Sequence, residues 1–120
     1  MKLQPLRIPA GWKVHWNLFY EQDINEENCL YEFSSSTLLS ISNTQTNKNI
    51  ELIWYPKGDI NGCYILEVYH LIEKYNAKKK ITEKVPENLI PEFSFESKSR
   101  QEIVDKIETL VLDQNKAKKR

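Results

Sequence analysis

Histidine and cysteine are scarce in this chain, and their scarcity removes most catalytic and metal-binding schemes. Two histidines, His15 and His70, and two cysteines, Cys29 and Cys63, are spread through 120 residues. No pair of them has the short spacing that zinc sites use. Two cysteines are also too few for a disulfide framework. No P-loop, no G-x-G-x-x-G and no G-x-S-x-G run occurs, so the phosphate-cradling and acyl-transfer templates fail. No cofactor is implied. No apolar run reaches the ~18 residues that suggest a membrane span, and no secretory apolar region opens the sequence. The expectation is a cytoplasmic protein with reduced thiols and no membrane partner. Net charge is absent too. Seventeen basic residues balance seventeen acidic ones, which gives the whole chain no bias toward nucleic acid.

What is present is the material of one ordinary domain spanning residues 1–120. The length is near the commonest domain size. With 40% hydrophobic and 28% charged residues, one sizeable core can form without staples. The charge is unevenly placed. Glu21, Asp23, Glu26, Glu27 and Glu32 lie between Val14 and Thr46 with no Lys or Arg among them. From Lys74 onward the balance reverses, with 12 basic and 8 acidic residues. Such asymmetry bears on partners more than on fold.

The most apolar stretch is Ile50–Ile72. It holds two β-rich runs, Ile50–Tyr55 and Cys63–Ile72, around the turn-forming segment Pro56–Gly62. This reads as a hairpin with a longer loop, placed at the centre of a sheet. Upstream, Trp12–Phe19 alternates as a half-buried strand. Trp12, Val14, Trp16 and Leu18 are expected inward, the tryptophans each burying on the order of 200 Å²; Phe19 breaks the alternation. Glu21–Asn28 reads as a loop or short helical turn, and Leu38–Ser42 as a strand. Glu73–Asn88, with Lys78, Lys79, Lys80 and Pro86, reads as a solvated, mobile connector. Phe93–Glu96 is a short strand with both phenylalanines inward.

The clearest helix signal closes the chain. Ser99 and Glu102 form an S-x-x-E capping box. Ile103, Ile107, Leu110 and Val111 then follow at a helical period, with Val104 widening the stripe. A helix over Arg100–Leu112 is expected, with Glu102 and Lys106 as an i, i+4 pair. The basic tail from residue 115 to 120 is expected to fray. The fold class is therefore α+β: an antiparallel sheet of four or five strands with a C-terminal helix packed on one face.

Few residues carry chemistry. His15 or His70 beside a carboxylate such as Glu67 or Glu73 could do general acid–base work. The D-x-N-G run Asp59–Gly62 opens like a calcium loop but lacks the later carboxylates. It reads as a turn in which Asp59 bonds a nearby N–H and Gly62 takes a positive φ. Three consecutive lysines with only Tyr75 nearby make a poor nucleic-acid patch. The acidic stretch Glu21–Glu32 is the strongest surface feature, since an uncompensated negative field steers a basic partner. Trp54, Tyr55, Tyr64 and Tyr69 are candidate aromatic anchors for it.

Three groups of residues carry a family resemblance. They are Ile8-Pro9-x-Gly11-Trp12-x-Val14-x-x-Asn17-x-Phe19-Tyr20, then Trp54-Tyr55-Pro56 with Asp59-x-x-Gly62-x-Tyr64, and last Phe95-Glu96-Ser97-x-Ser99 with Glu102-Ile103-Val104-x-x-Ile107. Together they resemble small immunity proteins that accompany bacterial polymorphic toxins, including those of contact-dependent inhibition systems. The resemblance implies a stoichiometric binder rather than an enzyme, with no catalytic residue to assign. It implies a cognate toxin C-terminal domain as partner, often a nuclease, whose basic substrate surface an acidic patch would suit. The residues expected to meet that partner are Glu21, Asp23, Glu26, Glu27, Glu32, Trp54, Tyr55 and Asp59, on a monomer or weak dimer. Two other readings stay open: a small enzyme or ligand-binding domain using His15 or His70, and a homo-oligomeric structural module.

Overall fold

The computed structural model describes residues 2–35 and 37–118, with side chains as far as Leu112. Among these residues the elements run β1 (Lys13–Asn17), β2 (Leu39–Asn43), β3 (Lys48–Tyr55), β4 (Cys63–Asn76), β5 (Ile81–Pro86), β6 (Phe93–Ser97) and α1 (Arg100–Lys118). All six strands join one sheet in the order β1-β2-β3-β4-β5, with β6 also on β4. Every pairing is antiparallel. The expected α+β class and the helix-covered sheet are both present, with one strand more than expected.

The central hairpin forms around β4. One edge of β4 takes β3, with Trp54 opposite Tyr64 and Leu52 opposite Leu66. Its other edge is shared: β6 pairs residues 64–68 and β5 pairs residues 71–76. Because side chains alternate between faces along a strand, Leu39, Ile41, Ile50, Leu52, Trp54, Tyr64, Leu66 and Val68 share one face and are buried. Onto this face α1 lays Ile103, Val104, Ile107 and Val111, all buried as well. Each fully buried aliphatic side chain contributes about 1.5–3 kcal/mol. The far face carries Glu51 directly opposite Glu67. The expected helical stripe thus holds, and the helix runs past Leu112 to Lys118. Residues 119 and 120 of the basic tail lie outside the described residues.

The edge strand β1 departs from its sequence pattern. Its register moves from Val14↔Ile41 to Trp16↔Ser40, so His15 is an extra residue with no partner in the ladder. A bulge of this kind breaks the alternation of faces. Trp16, now opposite Ser40, consequently stays 48% exposed, while Val14, opposite the core residue Ile41, is half exposed at this edge. The Trp16 indole donates to the Thr37 carbonyl at 2.8 Å. The core position falls to Phe19, the residue that broke the alternation.

The stretch from Glu73 to Asn88 is not the expected loose connector. It contains the end of β4, a tight turn and β5. Asn76 Oδ1 accepts from the N–H groups of Lys78 and Lys79, and Lys80 takes a left-handed φ of 57°. Tyr75 and Ile81 remain exposed on this arm. A ribbon with so little burial shows no apolar period, which is why its composition reads as a connector.

The cap of α1 is also built differently from its motif. Ser99 Oγ accepts from the Glu102 N–H at 3.2 Å. The return bond is relayed: Ser97 Oγ donates to Glu102 at 3.0 Å and accepts from the Ser99 N–H at 2.9 Å. Lys106 does not pair with Glu102. Its ammonium sits 4.9 Å from the Phe95 ring centre and 5.8 Å from that of Phe93. Phe93 itself remains at the surface, short of the expected inward position. No described helix is long and apolar enough to cross a membrane.

Candidate functional site

The segment between β1 and β2 folds into consecutive turns because two asparagines cap each other. Asn25 Oδ1 accepts from the N–H groups of Glu27 (2.8 Å) and Asn28 (2.9 Å). Asn28 Oδ1 accepts from the Asn25 N–H at 2.8 Å, and its amide donates to the Asp23 carbonyl at 2.9 Å. Glu32 N–H then bonds the Asn28 carbonyl at 2.9 Å. Short polar side chains that bond neighbouring backbone groups favour this conformation over helix or strand. Phe33 anchors the segment by packing on Trp54, with ring centres 5.1 Å apart at 70°.

The turns border an open, surface-facing cavity of about 840 Å³. Glu21, Asp23, Glu27 and Glu32 line it, together with Tyr31 and Arg100. Four carboxylates therefore face one guanidinium. Arg100, the first residue of α1, donates from Nε to Asp23 Oδ1 at 3.2 Å and from a second nitrogen to Gln4 Oε1. The Asp23 partner is largely exposed, which limits this pair to about 0–1 kcal/mol. Glu21, Glu27 and Glu32 form no ion pair among the described residues.

Two polar groups are buried, Glu32 in the cavity lining and Tyr64 in the core. Glu32 is only 7% exposed. With its amide nitrogen turned inward, Gln22 donates to both Glu32 oxygens at 3.0 Å. Tyr64 is 1% exposed, and its hydroxyl has no hydrogen-bond partner. Burial raises the pKa of that hydroxyl far above its ordinary value; Asp23 adds to the rise, Arg100 opposes it, and Glu32 adds again. The charges acting on Tyr64 are thus those of residues that line the cavity.

The expected binding set is only partly assembled here. Glu21, Asp23, Glu27 and Glu32 come together, but Glu32 is a wall residue and not a surface one. Glu26 is exposed on the same segment outside the cavity lining. Trp54 is not a surface anchor: it is 3% exposed, and its indole donates to the Asp59 carbonyl at 2.7 Å. Tyr64 is buried likewise, whereas Tyr55 is exposed. Asp59 works within its turn, where Oδ1 accepts from the Asn61 N–H at 2.8 Å. Gly62 does not supply the positive φ there; Gly58 does, at 72°. Gly62 is instead a close-approach position, since a Cβ would lie 2.5 Å from the Tyr55 carbonyl oxygen.

The sequence reading missed Arg100 and Tyr31. One signal for Arg100 was available. A cation in the first turn of a helix opposes the macrodipole and calls for a nearby anion. Tyr31, 80% exposed at the cavity rim, carried no signal.

The histidines do not come together. His15 lies on β1 and His70 on β4, with β2 and β3 between them. At ~4.8 Å per strand step this separates them by about 14 Å. His15 Nε2 bonds Ser42 Oγ at 2.6 Å, beside a groove of about 320 Å³ that Trp16 and Glu51 also line. No cluster among the described residues could hold a metal ion, and both cysteines are free. Compared with protein-family models, curated proteins and solved structures, the chain finds no match.

Proposed function

We propose that this chain is an immunity-type protein that binds one cognate toxin domain in the cytoplasm and blocks it stoichiometrically. The observation that carries this reading is the acidic cavity, in which Glu21, Asp23, Glu27 and Glu32 face a single arginine. Carboxylates held in a fixed frame present a negative field that speeds the approach of a basic surface. A nuclease is the expected target, because a surface shaped to hold phosphates is basic. The carboxylates would then occupy positions that substrate phosphates otherwise take. Exposed Leu30 and Tyr31 border the charge and can supply apolar and aromatic contact area. The resemblance of its sequence motifs to those of toxin-associated immunity proteins supports the same reading.

The test is co-expression with any toxin C-terminal domain found encoded beside it. The expected result is a 1:1 complex that survives size exclusion, together with rescue of cells from that toxin. The absence of both complex and rescue would remove this reading.

A further inference from the structure

We infer that the groove beside Trp16 is a binding site for a small organic cation, an alkylammonium group held between the Trp16 indole and the Glu51 carboxylate. The site lies on the sheet face opposite the core and is independent of the toxin-binding reading.

The strand register builds the groove. Trp16 lies opposite Ser40, Ser40 opposite Glu51, and Glu51 opposite Glu67, so one row crosses β1, β2, β3 and β4. Ser40 and Glu51 alternate with the core residues Leu39, Ile41, Ile50 and Leu52 and therefore belong to the other face. Two strand steps of ~4.8 Å place the backbones of Trp16 and Glu51 about 10 Å apart. Ser40, the short side chain between them, leaves the gap open. The result is a groove of about 320 Å³ lined by His15, Trp16, Ser35, Thr37, Ser40 and Glu51.

Both rings in this lining are fixed by the protein itself. The bulge at His15 turns Trp16 out of the core, and bulges recur where a side chain is re-aimed beside a functional site. The Trp16 indole N–H donates to the Thr37 carbonyl at 2.8 Å, and the Ser35 hydroxyl donates to the same carbonyl at 3.0 Å. With its N–H taken, the indole offers a ligand its ring. His15 is tied through Nε2 to Ser42 Oγ at 2.6 Å.

The charge of the groove calls for a cation. Glu51 and Glu67 stand directly opposite each other on neighbouring strands, an arrangement that is destabilising for like charges. Neither forms an ion pair among the described residues. The neutral amide of Asn49 donates to Glu51 at 3.3 Å. No Lys or Arg lines the groove among the described residues. Tryptophan is the best aromatic surface for a cation, and the carboxylate on the facing wall supplies the counter-charge. Both carboxylates repel an anion, and a neutral ligand leaves their mutual repulsion in place. An alkylammonium meets the ring with its alkyl groups and the carboxylate with its charge.

Choline is a suitable probe, titrated into the full chain at constant ionic strength and followed by NMR. Shifts should saturate at the Trp16 indole, His15 and Glu51, with a Kd of about 1–10 mM. The neutral isostere of choline, in which carbon replaces the quaternary nitrogen, should bind about tenfold more weakly. Trp16→Leu should weaken choline about tenfold. Glu51→Gln should weaken it about fivefold while raising the urea midpoint, because the repulsion with Glu67 is removed. If Trp16→Leu fails to fold, Trp16→Phe takes its place and should weaken choline about threefold. No saturable shift, equal affinity for the neutral isostere, or wild-type affinity in both the Trp16 and Glu51 variants would overturn the site.

Discussion

Tyr64 is a core residue with one unmet polar atom. Its ring meets Trp54 at 4.9 Å and Phe19 at 5.8 Å, both edge to face, while its hydroxyl is left without a partner. The raised pKa has a consequence for stability. The unfolded chain gives up this proton near pH 10, and the folded chain holds it to higher pH. The stabilisation is therefore complete below pH 10 and is lost as the pH rises above it. Urea midpoints measured between pH 9 and 11 should fall more steeply for the wild type than for Tyr64→Phe; parallel curves would mean that another group titrates. Gly62 offers a second residue-level test. A Cβ there would lie 2.8 Å from the Trp54 indole nitrogen and 2.5 Å from the Tyr55 carbonyl oxygen. Gly62→Ala should cost about 1–3 kcal/mol through forced backbone shifts, read from its urea midpoint.

At the level of elements, periodicity identified what is covered by another layer and failed where nothing covers. The stripe from Ile103 to Val111 was legible because α1 lies on the sheet, and the β3–β4 hairpin because its inner face is buried. The arm formed by the end of β4 and β5 was not legible. Its side chains are mostly exposed, so no alternation was selected, and the signal that remains is the Asn76 turn. The β1 strand misled for another reason. A one-residue bulge at His15 reverses the face of Trp16, and nothing in an alternating sequence announces a bulge. The cap of α1 was half legible, since Ser99 was recognisable and the relay through Ser97 was not. Ser99→Ala should destabilise the protein by about 1 kcal/mol, lowering the melting temperature by about 4 °C. The turns that hold the acidic residues rest on Asn25 and Asn28. Asn25→Ala should speed amide exchange at Glu27 and Asn28 while sparing the β4 core amides.

Across the whole molecule, a net charge of zero conceals two separated regions. The carboxylates of the turn segment gather around one cavity. The lysines of the β4–β5 arm pair locally, with Lys79 on Glu83 at 3.1 Å and Lys84 on Glu73 at 3.4 Å. Hydrogen bonding from Lys79 holds the Glu83 carboxyl below its usual range. The acidic bias was plain in the sequence, because five acids without a counter-charge are visible by counting. Its geometry was not. Burial of Glu32, exclusion of Glu26 and recruitment of Arg100 from 77 residues away depend on how the turns meet the helix. The account's central claim is that this cavity meets a basic protein partner. Titration calorimetry with a candidate toxin domain, at about 50 and 300 mM salt, tests it most directly. The account predicts a 1:1 complex whose affinity drops with salt and drops again, roughly tenfold, in Glu27→Gln. A complex equally tight at both salt concentrations and unaffected by Glu27→Gln would place the interface elsewhere and contradict the claim.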